Sequence, residues 1–145
     1  MKVSEPGCAH SKPMKISSRL QHISILVDSY EKGIVFFTEA LGFELLEDVP
    51  SLTNDGRAKR WVVVAPPGGG CSVLLAQADG ERQKQGVGDQ FFGRVGLFLR
   101  VEEFHLVYQY LSREGVKFLS EPREESYGWV AVFEDPWGNK WDLLG

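Results

Sequence analysis

Cysteine is scarce in this 145-residue chain: Cys8 and Cys71 allow one bridge at most, which excludes a disulfide scaffold and fits a reducing compartment. Neither belongs to a CxxC. Cys8 and His10 form a lone C-x-H in a Ser/Pro/Lys-rich start, and no chemistry is assigned to it. No run approaches the roughly 18 apolar residues that a membrane-spanning helix needs, and MKVSEPGCAHSKP lacks the apolar stretch of a signal peptide. A surplus of positive charge is missing too. Lys and Arg number 16 against 20 Asp and Glu, a net charge of −4 without a basic stripe, so neither nucleic acid nor a membrane is expected as a partner. These absences predict a cytoplasmic protein whose partner is a small molecule. Hydrophobic residues make up 43% of the chain. At this length about 68–70% of the unfolded surface can be buried, so the core needs no metal and any metal present would be functional.

One order of elements occurs twice. RLQHISILV alternates Ile23, Ile25 and Val27 with His22, Ser24 and Leu26, the pattern of a strand with two different faces. A helix follows, with Asp28 and Glu31 at the spacing of a capping box and Tyr30, Ile34, Phe37 and Leu41 on one stripe. Gly33 inside that stripe costs about 1 kcal/mol against Ala, and Gly42 is a natural left-handed cap. Three strands then read as FELLEDV, RWVVVAPP and CSVLLAQA, separated by Gly/Pro-rich turns. After a polar linker the order returns as GRVGLFLRV, the helix EEFHLVYQYLSREG with Phe104, Val107 and Leu111 on one face, then VKFLSEP, WVAVFED and KWDLLG. The predicted organisation is a loosely packed tail over 1–18 and one domain over 19–145. Within it lie a first module over 19–78, a linker over 79–92 and a second module over 93–145.

The opening RLQHISILVDSYEKGIVFFTEALGFEL and the closing VAVFEDPWGNKWDLL resemble the vicinal oxygen chelate superfamily, which includes glyoxalases, extradiol dioxygenases, methylmalonyl epimerases and bleomycin- and fosfomycin-resistance proteins. The resemblance spans nearly everything from Arg19 to Gly145. In the closing motif Asp135, Pro136 and Gly138 suit a tight turn, Pro presetting φ and Gly accepting positive φ. The resemblance implies an α+β fold in which two paired βαβββ modules form a cup-shaped, incompletely closed mixed barrel, commonly as a homodimer.

It also implies four metal-ligand positions, one on the first and last strand of each module. The first falls on His22 and the fourth on Asp142, both able to ligate. The second falls on Leu74, which has no donor atom, and the third on Arg94 or Gly96 according to the direction of counting. Catalytic transition-metal sites usually keep three protein ligands, and a guanidinium repels a divalent cation while favouring a carboxylate or phosphate. The positions therefore read as the remnant of a metal site. Asp142 could instead form an ion pair with Arg94. On strand parity Arg94, Gly96, Phe98 and Arg100 share one face, an anion clamp with a stacking surface. Trp61 and Trp129 are expected near the pocket, whereas Trp137 belongs to the hairpin turn and Trp141 has opposite parity to Asp142. His105 reads as solvated beside the helix stripe, and EPREESYG as a charged, solvated loop able to flap over the cleft.

The leading expectation is a small-molecule-binding protein of the glyoxalase/bleomycin-resistance type, without cofactor. It would hold an aromatic or anionic organic ligand against His22, Ser24, Trp61, Leu74, Arg94, Gly96, Phe98, Trp129 and Asp142. The alternative is a divalent-metal-dependent lyase, isomerase or dioxygenase using His22 and Asp142, with missing ligands supplied by residues such as Gln77 or Glu134.

Overall fold

The computed structural model describes residues 12–145, so Cys8 and His10 lie outside the described residues. Residues 12–21 have no regular secondary structure. Strand β1 (His22–Val27) leads into α1 (Tyr30–Val35), which widens into a π-helical turn over Phe36–Ala40. Then come β2 (Glu44–Leu52), β3 (Ala58–Ala65) and β4 (Ser72–Gln77). The second half carries β5 (Val95–Arg100), α3 (Phe104–Arg113), β6 (Lys117–Phe118), β7 (Arg123–Glu125), β8 (Gly128–Glu134) and β9 (Lys140–Leu144). Between the halves, the stretch read as a linker contains a short helix, α2 (Glu81–Gly86).

The repetition seen in the sequence is a repetition of topology. One sheet has the order β1-β4-β3-β2 and the other β5-β9-β8-β6, with β7 also pairing to β8 along the β6 edge. In each, the first and last strands are parallel neighbours and the rest are antiparallel. The architecture is thus a mixed α+β fold with two sheets and no closed barrel.

Three local features depart from the sequence expectations. The cap of α1 is Ser29, whose Oγ accepts from the Lys32 amide at 3.3 Å, because the Asp28 carboxylate is drawn away to Lys32 Nζ and to the indole of Trp137. Gly33 has a packing reason: a Cβ there would lie 2.8 Å from Leu75 Cδ1, so its absence lets α1 sit directly on β4. The segment read as a charged loop contains β7, whose pairing with β8 outweighs the poor strand propensity of its two glutamates.

Burial follows strand alternation. Ile25, Val27, Val62, Val64, Val73 and Leu75 form the α1-facing side of the first sheet, and all are buried. On its other side α1 projects Phe37, fully buried, with its ring 5.9 Å from Trp141 and stacked 6.3 Å from Trp137. Leu97, Trp141, Leu143, Ala131 and Phe133 make the corresponding inner face of the second sheet. Helix α1 packs on the first sheet, the π-helical turn after it reaches Trp141 of the second through Phe37, and a single core runs through both halves.

Trp137 pins the β8–β9 turn to the β1–α1 corner. Besides stacking on Phe37, it donates Nε1–H to Asp28 Oδ1 at 2.7 Å. That hydrogen bond, with help from Lys32, holds the Asp28 carboxyl below its ordinary range against the opposing effect of burial. A depressed folded-state value contributes stability that is complete above the unfolded value and lost as pH falls through the folded one. Trp137→Phe is expected to keep the stacking but flatten the decline in stability below about pH 4. Urea midpoints measured down to pH 2.5 for both proteins check this, and identical acid slopes would overturn it.

Candidate functional site

Alternation that turns one face of each sheet toward the helices puts most of the expected site residues on the opposite face, where Val63 and Val130 are fully buried too. On the first sheet His22, Ser24 and Leu74 lie on neighbouring strands, with Ser24 and Leu74 in register. Trp61 on β3 shares this face, and its ring meets His22 edge-on at 5.9 Å. Glu47 on β2 accepts from Trp61 Nε1 at 3.2 Å and fixes the indole's orientation. At the hairpin end of the same sheet a cleft of about 510 Å³ is bordered by Trp61, Leu74, Lys59, Gln77, Asp79 and Gln83. Arg57 closes that end by a two-pronged contact with Asp79, at 2.7 and 3.0 Å.

The outer face of the second sheet is built around Asp142, flanked in register by Phe98 on β5 and Val132 on β8. The Phe98 ring is 63% exposed. Burial pushes the Asp142 carboxyl above its ordinary range, and the nearby Arg123 guanidinium partly offsets the rise. Arg123 in turn pairs with Glu125 at 2.7 Å.

The two faces belong to different sheets of one chain. His22, Ser24, Trp61 and Leu74 come together, and so do Phe98 and Asp142, but one chain does not bring the two sets together. Two expected pocket residues sit elsewhere, and a third, Gly96, is covered by a neighbouring ring. Trp129 faces inward under α3, stacked 6.4 Å from Phe104 and edge-on at 4.5 Å to His105, because it shares the parity of Ala131 rather than of Val130. His105, although exposed, therefore has a ring partner. Arg94 precedes β5 and is exposed in the turn closed by its amide and Phe91 O at 3.1 Å. Gly96 is covered by the Phe91 ring, which occupies the space where a Cβ would go. Of the expected clamp, Gly96, Phe98 and Arg100 border one cavity of about 940 Å³ with Ile23 and Trp141, while Arg94 stands apart, and the cation near Asp142 is Arg123.

Arg123 and Glu47 are site residues that sequence reasoning missed. Arg123 lay in a stretch too short and too charged to read as a strand. Glu47 follows a bulge between Leu45 and Glu47, which breaks the alternation that would have placed it beside Trp61.

The donor set does not fit the metal centre that the resemblance implies. Leu74 offers nothing, and the third position offers a glycine or an exposed arginine. Of the two candidate substitutes, Gln77 accepts from the Tyr30 amide at 3.4 Å, and Glu134 pairs with Lys117 at 3.3 Å. Among the described residues no three His, Cys, Asp or Glu side chains cluster closely enough to hold an ion. Among the described residues the buried Nδ1 of His22 meets no carbonyl or carboxylate of the kind that orients metal-bound imidazoles.

No helix among the described residues is long and apolar enough to cross a membrane. Residues 19–143 match the family model of the Glyoxalase/Bleomycin resistance protein/Dioxygenase superfamily. An uncharacterized protein of Shewanella frigidimarina (strain NCIMB 400) is 46% identical over 124 residues, 85% of this chain and 90% of the relative. Among solved structures, UcmS2 superimposes with a TM-score of 0.74 at 29% identity, covering 89% of this chain and 98% of that one. TnmS3, an antibiotic binding protein from Streptomyces sp. CB03234, does so with a TM-score of 0.67 at 30% identity, covering 91% and 98%. With a family match across nearly all the described residues and the paired, parallel-edged sheets of the glyoxalase-like fold, the chain belongs to the glyoxalase/bleomycin resistance protein/dioxygenase superfamily.

Proposed function

We propose that this protein is a metal-independent small-molecule binder of the bleomycin-resistance type, a cytoplasmic homodimer whose cups each hold an aromatic organic ligand. The observation that carries the reading is the donor set: the four ligand positions supply only His22 and Asp142, beside the solvent-accessible rings of Trp61 and Phe98. Aromatic rings are large, rigid contact surfaces, and they bind planar molecules without needing a charge. The kinship with TnmS3, an antibiotic binding protein, supports the same class of ligand.

A dimer would supply what the cup requires, an outer face from each module, over 19–78 and 93–145, since the two sets of residues lie on different sheets of one chain. A second copy would set the Trp61 face of one protomer opposite the Phe98 face of its partner, and would cover Val49, Leu52, Leu119 and Tyr127, all at least 42% exposed.

The test is metal content and assembly together. The protein is stripped, dialysed in turn against Ni, Zn, Mn and Fe(II), and assayed for bound ion per chain alongside His22→Ala, with mass in solution read by light scattering. The expected result is a dimer that retains far less than one ion per chain, with no difference between the two proteins. Near-stoichiometric metal that is lost in His22→Ala would overturn the reading and favour glyoxalase, epimerase or oxygenase chemistry. A monomer would overturn the shared cup.

A further inference from the structure

We infer that Lys59 is the counter-ion of the ligand, so that the preferred ligand is an aromatic carboxylate whose ring lies on Trp61 and whose acid group meets the Lys59 ammonium. The inference rests on the binding reading above and adds a charge to the ligand it describes.

The site begins as a gap in the first sheet. β3 and β4 pair only over Val62–Val64 and Val73–Leu75, although both strands run beyond these residues. Past Val62 and Leu75 they part, and the cleft of about 510 Å³ opens between residues 58–61 and 76–79. Both of its walls are braced. Arg57 spans the gap to Asp79 at 2.7 and 3.0 Å. Tyr30 of α1 accepts from the Arg60 amide at 3.2 Å, taking up a backbone donor that a paired strand would otherwise satisfy. Lys59 and Trp61 have the same parity on β3, so their side chains leave one face of the strand about 7 Å apart along it. Glu47, which accepts from the indole N–H at 3.2 Å, stands in register with Val63, on the far side of Trp61 from Lys59. A ligand anion on the indole is therefore repelled at one end and attracted at the other, toward Lys59.

The charges around the cleft favour an acid of single charge. The cations on its border are Arg57, Lys59 and Arg60, and the anions are Asp55 and Asp79. Both aspartates pair with Arg57, while Arg60 pairs with Asp48 and Glu31, which lie outside the border. Among the described residues Lys59 belongs to no ion pair, and it is the cation that remains for a ligand. One ammonium on a flexible stem matches one carboxylate. A phosphate dianion would keep a negative charge facing Asp55 and Asp79.

The probes are 2-naphthoate and 2-naphthamide, which differ in charge but little in shape, titrated by calorimetry at low salt. Wild type is expected to bind the naphthoate about fivefold more tightly, the worth of an exposed ion pair, and to lose most of that preference at high salt. Lys59→Met keeps the aliphatic stem and should bind both compounds equally, as wild type binds the amide. Lys59→Arg should retain the preference. Equal affinities in wild type, or a preference that survives in Lys59→Met, would overturn the counter-ion role while leaving aromatic binding intact. If neither compound binds wild type, the aromatic reading itself falls and the inference falls with it.

Discussion

Asp135→Ala is expected to cost about 4 kcal/mol or more, toward the extreme of single-substitution effects. Asp135 is only 4% exposed, and its carboxylate organises the β8–β9 turn. Oδ1 accepts from the amides of Trp137, Gly138 and Asn139 at 3.1, 3.1 and 2.9 Å, while Oδ2 accepts from Asn139 Nδ2 and Trp141 Nε1 at 3.0 and 3.1 Å. Truncation leaves all these donors, most of them buried, without their acceptor, at about 1–3 kcal/mol each and not additively. Asp135→Asn keeps one oxygen but turns an amide toward donors, so an intermediate loss is expected. Urea unfolding followed by tryptophan fluorescence measures both. A loss below about 1 kcal/mol for the alanine variant would show that water replaces the carboxylate and that the turn is organised by its backbone.

Gly88→Ala is expected to be almost as damaging, at about 3 kcal/mol or more, for a reason of backbone contact. Gly88 has φ +77, and a Cβ built on it would overlap the carbonyl oxygen of Trp137 and lie 2.6 Å from its carbonyl carbon. Neither side can yield by a rotamer change. Relief would unseat the turn that carries Trp137 and, with it, the stacking on Phe37 across the core. Gly56→Ala is the internal control: its φ is +87 but nothing lies within 4 Å of the added methyl, so only the cost of left-handed backbone remains, about 1–2 kcal/mol. Equal losses for the two variants would show that the Gly88 contact is relieved elsewhere.

Both predictions concern the place where the halves meet, which the sequence did not disclose. A further example is Gln90. Its side-chain amide accepts from the Leu26 amide at 2.9 Å and donates to Ser24 O at 2.8 Å, standing in for a strand along the free edge of β1. Nothing in the polar run from Asp79 to Gln90 distinguishes this glutamine from its neighbours, because its partner lies 66 positions away in the chain.

What the sequence determined by itself was everything that depends on near neighbours. Alternation in HISILV and VVVA fixed which residues face α1, glycines marked the turns, and the order of elements disclosed the repeated module. The identity of the ligand-position residues was equally local: Leu74 lacks a donor wherever it sits. What only the tertiary structure decided was direction and partnership. Parity separates the residues of one strand into two faces but does not say which face a helix covers, and so Trp129 went under α3 while Trp61 remained open. Spacing does not reveal that His22 and Asp142 lie on different sheets. The division has one physical reason. Local order is set by interactions a few residues apart, whereas the chemistry of a site depends on which atoms from distant segments do, or do not, arrive beside one another.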